Sequence, residues 1–357
     1  MFKIKITIEK KTKISEIIIG DNLFFKLKEH LKKIEFSKIV IITDTIVDSF
    51  YGKKIKKALE SYKLTTIVIP AGEKFKTLYT ASAVYDQMIK ASLNRDTLVI
   101  AFGGGVIGDL AGFVASTYMR GLPVIQVPTT LLAQVDASIG GKTGVDHTGG
   151  KNLIGAFYQP KLVLIDVDFL KTLPIREIKT GLAEVVKYGI IKDSELFAKL
   201  ELNPKSTSKF WTEVICCCAA IKAEVVAKDE KEVTGLRMIL NFGHTFGHAI
   251  ESLTGYSKYT HGEGVAIGMV AAANLAFKLK MLKEKDLLRI VSLIAVLGLP
   301  TKCDLAVSTI LKALYMDKKA KSGKIRFVLP VKIGKVVVRD DISEKTIKLS
   351  LKEIGCV

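Results

Sequence analysis

Along the first half of the chain, short runs of apolar and β-branched residues recur between segments of helical periodicity. Ile39–Thr43, Thr66–Ile69, Thr97–Ala101, Val124–Val127 and Leu162–Ile165 read as strands. Asp48–Tyr62 and Leu78–Ala91, lying between them, read as helices. Strands alternating with helices predict a parallel sheet with helices packed on it. At the start, Lys3, Ile4, Lys5 and Ile6 alternate polar with apolar, a strand pattern compatible with an edge hairpin and unlike a signal peptide. After Pro174 the texture changes. From Ile175 to about Met316 the periodicity is helical, with breaks near Asn203–Thr207, Gly255–Tyr259 and Gly298–Asp304. A short β-like return follows, at Ile325–Leu329 and Lys335–Val338. The expected architecture is an α/β domain over residues 1–172, with a Rossmann-like parallel-sheet core, and an all-α domain over 173–357.

Composition narrows the class. With 357 residues the chain is long enough for two domains, and 48% hydrophobic residues exclude a disordered polymer. Its longest apolar stretch, Gly264–Phe277, is shorter than the roughly 20 residues that span a bilayer and fits a buried helix. A net charge of +18 favours anionic partners, but lysines such as Lys53, Lys54, Lys56 and Lys57 fall on a helical pattern and read as a solvated face. No recognition motif or aromatic-rich basic strand points to nucleic acid. The five cysteines include the consecutive run Cys216–Cys218, which lacks zinc-site spacing; they read as reduced, mostly buried thiols of a cytoplasmic protein.

Two constellations carry chemistry. The first is a glycine turn. Strand Thr97–Ala101 runs into Phe102, Gly103, Gly104, Gly105, Val106, Ile107, Gly108 and Asp109, and an apolar helix follows. Glycines there let backbone amides approach a pyrophosphate at a helix N-terminus. No acid lies about 20 residues on, as is usual for a ribose contact. Asp44, at the end of strand Ile39–Thr43, is the acid available, so the turn reads as a variant dinucleotide site. The loop Ala71, Gly72, Glu73, Lys74, Phe75 and Lys76 also follows a strand, as do Thr129 and Thr130.

The second constellation holds three of the five histidines. His244 and His248 are four apart on a predicted helix, a spacing that presents both rings on one face and suits joint ligation of zinc. His261 stands at a loop-to-helix junction. Glu184, a lone acid in an apolar turn, is the carboxylate candidate and shares a face with Lys187. The competing reading is an internal Glu184–Lys187 pair with core histidines. Basic residues occur in glycine- or amide-rich company at Arg120, Lys142, Lys151 beside Asn152, Lys222, Arg237 and Asp317–Lys319, and the lysines beside Gly140-Gly141 and Gly149-Gly150 read as an anion cradle.

The runs Phe102–Gly112, Val127–Asp146, Gly149–Pro160, Gly181–Gly189, Leu240–Glu251, His261–Gly268 and Asp317–Pro330 closely resemble the 3-dehydroquinate synthase family, over about residues 40 to 330. The resemblance implies an NAD-binding α/β domain followed by a helical metal-binding domain. It implies conversion of 3-deoxy-D-arabino-heptulosonate 7-phosphate to 3-dehydroquinate and phosphate, in the shikimate pathway to aromatic amino acids. It also implies Zn²⁺ or Co²⁺ on Glu184, His244 and His261, which moves His248 from metal ligand to substrate contact. NAD is then expected at Asp44, Ala71–Lys76, Gly104–Asp109, Thr129, Thr130, Lys142, Lys151 and the segment Phe169, Leu170, Lys171 and Thr172. Expected substrate contacts are Arg120, Asp136, Lys142, Asn152, Lys187, Lys222, Arg237, Asn241, His248 and Lys318. The same resemblance implies a homodimer in which Arg120 reaches the neighbouring site. Rival readings are another sugar-phosphate cyclase, acting on sedoheptulose 7-phosphate, and a metal-dependent polyol or glycerol-phosphate dehydrogenase.

Overall fold

A computed structural model describes residues 15–202, 207–255, 258–320 and 324–356, except for the side chains of 317–320. The opening Lys3–Ile6 strand reading and the Lys318 assignment lie outside the described residues. Among those described, six strands form one wholly parallel sheet: β1 (Glu16–Gly20), β2 (Lys38–Asp44), β3 (Leu64–Ile69), β4 (Thr97–Gly103), β5 (Val124–Pro128) and, after the hairpin β6 (Lys142–His147) and β7 (Gly150–Phe157), β8 (Leu162–Asp166). Their order is β1-β8-β5-β4-β2-β3. All five strands expected from the apolar runs form.

The alternation within each strand explains the layering. Val40, Ile42, Val99 and Ala101 pack on one face, beneath α3 (Leu78–Lys90) and α4 (Gly105–Thr117). Ile39, Ile41, Leu98, Ile100 and Phe102 pack on the other, against α1 (Leu27–Leu31) and α2 (Thr45–Ala58). Strands buried on both faces are apolar throughout, which is why these runs were conspicuous. β3 lies to one side of β2 and β4 to the other, so the chain reverses direction between β2 and β4. Open α/β sheets bind ligands at the carboxyl ends of strands flanking such a reversal. Asp44 ends β2 and Gly103 ends β4.

Beyond Pro174 the chain is helical through α5 (Ile175–Ile191), α6 (Ser194–Glu201), α7 (Ser208–Lys228), α8 (His244–Leu253), α9 (His261–Lys278), α10 (Glu284–Val296) and α11 (Val307–Ala320). The antiparallel hairpin β9 (Phe327–Lys332) and β10 (Lys335–Arg339) and a final helix α12 (Glu344–Glu353) follow. Helix α9 is the buried centre of this half, and Val163, Ile165, Leu131 and Val135 from the first half join the same core. No helix among the described residues is long and apolar enough to cross a membrane. Of the cysteines, Cys218, Cys303 and Cys356 are buried, while Cys216 and Cys217 lie on the exposed side of α7.

Candidate functional site

Three helices bring the metal candidates together. Glu184 sits in the middle of α5 and is fully buried. His244 is the first residue of α8, entered through Gly243 in left-handed conformation (φ 81°). His261 opens α9, whose start is fixed by a reciprocal capping box between Thr260 and Glu263. A Cβ on Gly268 would fall 2.0 Å from the carbonyl oxygen of Gly243, so α8 and α9 approach backbone to backbone. That close packing draws the two imidazoles toward Glu184.

Nε2 of His244 and Nε2 of His261 each lie 3.5 Å from Oε1 of Glu184. Two donors of a tetrahedral zinc site, each about 2.0–2.1 Å from the ion, stand about 3.3 Å from one another. The observed spacing matches that better than a hydrogen bond. Oε1 is buried and accepts no hydrogen bond from any described residue, an arrangement that is costly unless something positive sits there. The other imidazole nitrogens are committed: Nδ1 of His244 lies 3.1 Å from the Phe242 carbonyl oxygen, and Nδ1 of His261 lies 3.0 Å from Oε1 of Glu251. With Nδ1–H donating, Nε2 is the nitrogen each ring can offer a cation, already unprotonated in His244 and on loss of its proton in His261. The three residues therefore fit a divalent metal.

Charges around this point are tightly organised. Lys187, one helical turn after Glu184, is buried in contact with Glu184 Oε2 and 3.5 Å from Asp136. Asp136 also takes Lys222 Nζ at 2.8 Å and the Tyr188 hydroxyl at 2.6 Å. Burial opposes ionisation of Asp136, but Lys222 and Lys187 outweigh it and hold the carboxyl well below its usual range. Burial likewise opposes charge on Glu184, yet Lys187, His244 and His261 bring it down to about 2. His244, driven mainly by burial, falls to about 3. Burial also disfavours charged His261, but the carboxylates of Glu184, 3.5 Å away, and Glu251, at 3.0 Å, carry it up to about 10. Lys222 is lowered, chiefly by burial.

Arg237 is buried, donating to the Glu230 carbonyl at 2.7 Å, with its Nε 3.5 Å from Glu232. Lys142, on the hairpin, meets Glu232 at 2.5 Å. His248 and Asn241 are exposed, at the second turn of α8 and just before it. Arg120 is exposed, in left-handed conformation (φ 66°) directly after Met119 (φ 51°).

The glycine turn lies close by. A Cβ on Gly105 would lie 3.4 Å from that of Ala137, the neighbour of Asp136. Helix α4 begins at Gly105, after Gly104 as a cap with no side chain, and has no acid in its first turn, so its N-terminal amides suit an anion. Lys76 joins two segments there, at 2.6 Å from Asp109 and 2.5 Å from Asn152, and Lys151 lies 3.3 Å from Glu73. Asp44 caps α2 through Oδ1, which accepts from the amides of Ile46 and Val47. Thr129 is buried beside Gly103, and Thr130 Oγ1 accepts from Ala133. Phe169 and Leu170 are core residues, Phe169 packing on Phe24, Tyr51 and Phe102. Lys171 is exposed and Thr172 meets the Tyr51 hydroxyl at 2.7 Å. These features fit a dinucleotide at the β2–β4 reversal.

Sequence reasoning overlooked two residues here. Glu251 lies seven positions after His244, on the same face of α8, and is a lone acid on a largely buried helix. Tyr188 follows Lys187, and its hydroxyl meets Asp136 at 2.6 Å.

Comparison with known proteins gives the family. A family model described as 3-dehydroquinate synthase N-terminal matches residues 66–180, and one described as 3-dehydroquinate synthase C-terminal matches residues 181–320. The 3-dehydroquinate synthase of Rippkaea orientalis is 48% identical over 344 residues, 93% of each chain. Among solved structures, the 2-epi-5-epi-valiolone synthase of Streptomyces hygroscopicus, with NAD⁺ and Zn²⁺ bound, superimposes with a TM-score of 0.90 at 30% identity, covering 98% of this chain and 99% of that one. A 2-deoxy-scyllo-inosose synthase complexed with carbaglucose-6-phosphate, NAD⁺ and Co²⁺ gives 0.82 at 28% identity, covering 95% and 96%.

Proposed function

The chain belongs to the 3-dehydroquinate synthase family, and from that premise we propose that it converts 3-deoxy-D-arabino-heptulosonate 7-phosphate to 3-dehydroquinate and phosphate. The observation that carries this reading is the convergence of Glu184, His244 and His261 on one buried point beside the Lys187–Asp136–Lys222 network. When bound, NAD supplies a reversible hydride acceptor and a divalent cation, Zn²⁺ or Co²⁺, supplies Lewis acidity toward a ring hydroxyl. Glu184, His244 and His261 would hold the cation. The turn Gly104–Asp109, with Asp44, Ala71–Lys76, Thr129, Thr130, Lys142, Lys151 and Phe169–Thr172, would hold the nucleotide.

The protein's own work is to bind one conformer and to stabilise developing negative charge. Lys187, Arg237 and His248 are assigned to the substrate's oxyanions. Lys142 and Asn152 are assigned to its phosphate, one of whose own oxygens serves as base when it leaves. Lys222 and Asn241 are assigned to the carboxylate, with Asp136 orienting both buried lysines. Closure of the two halves about the cleft would exclude water from a reactive intermediate. We propose a domain division near 172/173 and a cytoplasmic homodimer in which Arg120 serves the neighbouring site.

The likeness to 2-epi-5-epi-valiolone synthase favours one second reading, a cyclase for sedoheptulose 7-phosphate. A phosphate-release assay with each sugar phosphate, with metal chelated and then restored, separates the two. Metal-dependent release from the heptulosonate phosphate and little from sedoheptulose 7-phosphate is expected; the reverse preference would replace the proposal with its rival.

A further inference from the structure

Glu251 is buried at 4% exposure on α8, two helical turns after His244. Its seat is built by the same close packing that joins α8 to α9. A Cβ on Gly264 would lie 3.0 Å from Glu251 Cγ, and one on Gly247 would lie 3.0 Å from the Gly264 carbonyl oxygen. The glycines let the carboxylate cross from α8 to the first residue of α9. There its Oε1 lies 3.0 Å from Nδ1 of His261. His244 is held differently, with Nδ1 against the neutral Phe242 carbonyl at 3.1 Å. One of the two imidazoles thus leans on a charged acceptor and the other on a neutral one.

His248, Glu251 and His261 also lie near enough to one another to suggest a second cation site. The 3.0 Å separation between Glu251 Oε1 and His261 Nδ1 is that of a hydrogen bond. That bond engages His261 Nδ1, and its other nitrogen, Nε2, faces Glu184, so His261 is spent on the first site.

We propose that Glu251 is a positioning residue for the metal: it fixes His261 as the Nδ1–H tautomer, aims Nε2 at the point shared with Glu184, and strengthens His261 as a ligand. A carboxylate behind a ligating imidazole orients the ring and raises its basicity. The role extends the metal assignment made under Proposed function and rests on it.

The test uses apo full-length protein, titrated with Zn²⁺ against a competing chelator, for the parent, Glu251→Gln and Glu251→Ala. Co²⁺ absorption spectra and thermal melting are recorded in parallel. Glu251→Ala is expected to weaken Zn²⁺ about 10- to 100-fold and to shift the Co²⁺ bands. Glu251→Gln, which keeps an acceptor without the charge, is expected to fall between it and the parent. If the alanine variant does not fold, the glutamine variant decides alone. Unchanged Zn²⁺ affinity and an unchanged Co²⁺ spectrum in folded variants would overturn this role. Failure of the parent to bind Zn²⁺ would overturn the metal assignment along with it.

Discussion

Nε2 of His261 stands 3.5 Å from Oε1 of Glu184, and, against the opposing effect of burial, Glu184 together with Glu251 carries His261 up to about 10 in the apo protein. His261 is therefore protonated at neutral pH until a cation takes its lone pair, whereas His244, at about 3, is already neutral. Zinc binding at pH 7 is expected to release about one proton, and affinity to rise with pH. Calorimetry in buffers of different ionisation enthalpy measures this directly. Binding without proton release would contradict the charge state assigned to His261. In the apo protein the raised value also adds stability that is complete below about pH 6.5 and is lost as pH rises through about 10.

Gly268→Ala tests whether helix packing sets the ligand geometry. Its Cβ would meet the Gly243 carbonyl oxygen, just before His244, at 2.0 Å and the Gly247 amide nitrogen at 2.8 Å. Both are backbone atoms, so the helices must part. A loss of about 1–3 kcal/mol in urea unfolding is expected, together with weaker Zn²⁺ binding. Destabilisation with parental zinc affinity would show that the ligands do not depend on this contact.

Asp229 gives a pH signature in the segment that carries Arg237. Its carboxylate accepts from the amides of Val233 at 2.8 Å, Thr234 at 3.1 Å and Arg237 at 3.1 Å. Burial opposes its ionisation, but these bonds bring it down to about 2. A depressed carboxyl adds stability above its unfolded value of about 3.9, and this is lost as pH falls through about 2. Asp229→Asn should therefore lower the urea midpoint at pH 7, and the gap from the parent should narrow between pH 4 and pH 2. A gap independent of pH would rule the mechanism out.

Lys222→Met tests the carboxylate assignment. A charge-assisted hydrogen bond contributes about 1.5–3 kcal/mol, so kcat/KM for the heptulosonate phosphate is expected to fall about 10- to 100-fold. Its ratio to the value for sedoheptulose 7-phosphate, which lacks the carboxylate, should fall as well. An unchanged ratio would show that Lys222 supports the site only through Asp136, 2.8 Å away.

Strands β2, β4, β5 and β8 were legible in the sequence because burial on both faces makes each a nearly continuous apolar run, as in Ile39–Ile42, whereas the half-buried edge strand β1 was not. The hairpin β6–β7 was not. Gly140, Gly141, Gly144, Gly149, Gly150 and Gly155 dilute its β pattern, and that run read as an anion cradle. The helical half was legible as periodicity, yet which residues meet across α5, α8 and α9 was not, because Glu184 and His261 are 77 positions apart in the chain. Local spacing favoured His248 with His244. The close approach of α8 and α9 instead puts Nε2 of His261 beside the buried carboxylate and leaves His248 exposed. Glu251 escaped notice since its meaning depends on the partner it finds across that contact.

The most direct test follows phosphate release and NADH absorbance together in one reaction with the heptulosonate phosphate, NAD⁺ and Zn²⁺. The account predicts many turnovers of phosphate with no net growth of NADH, and no turnover once the metal is chelated. NADH accumulating in step with substrate consumption, or full phosphate release from the metal-free protein, would contradict it.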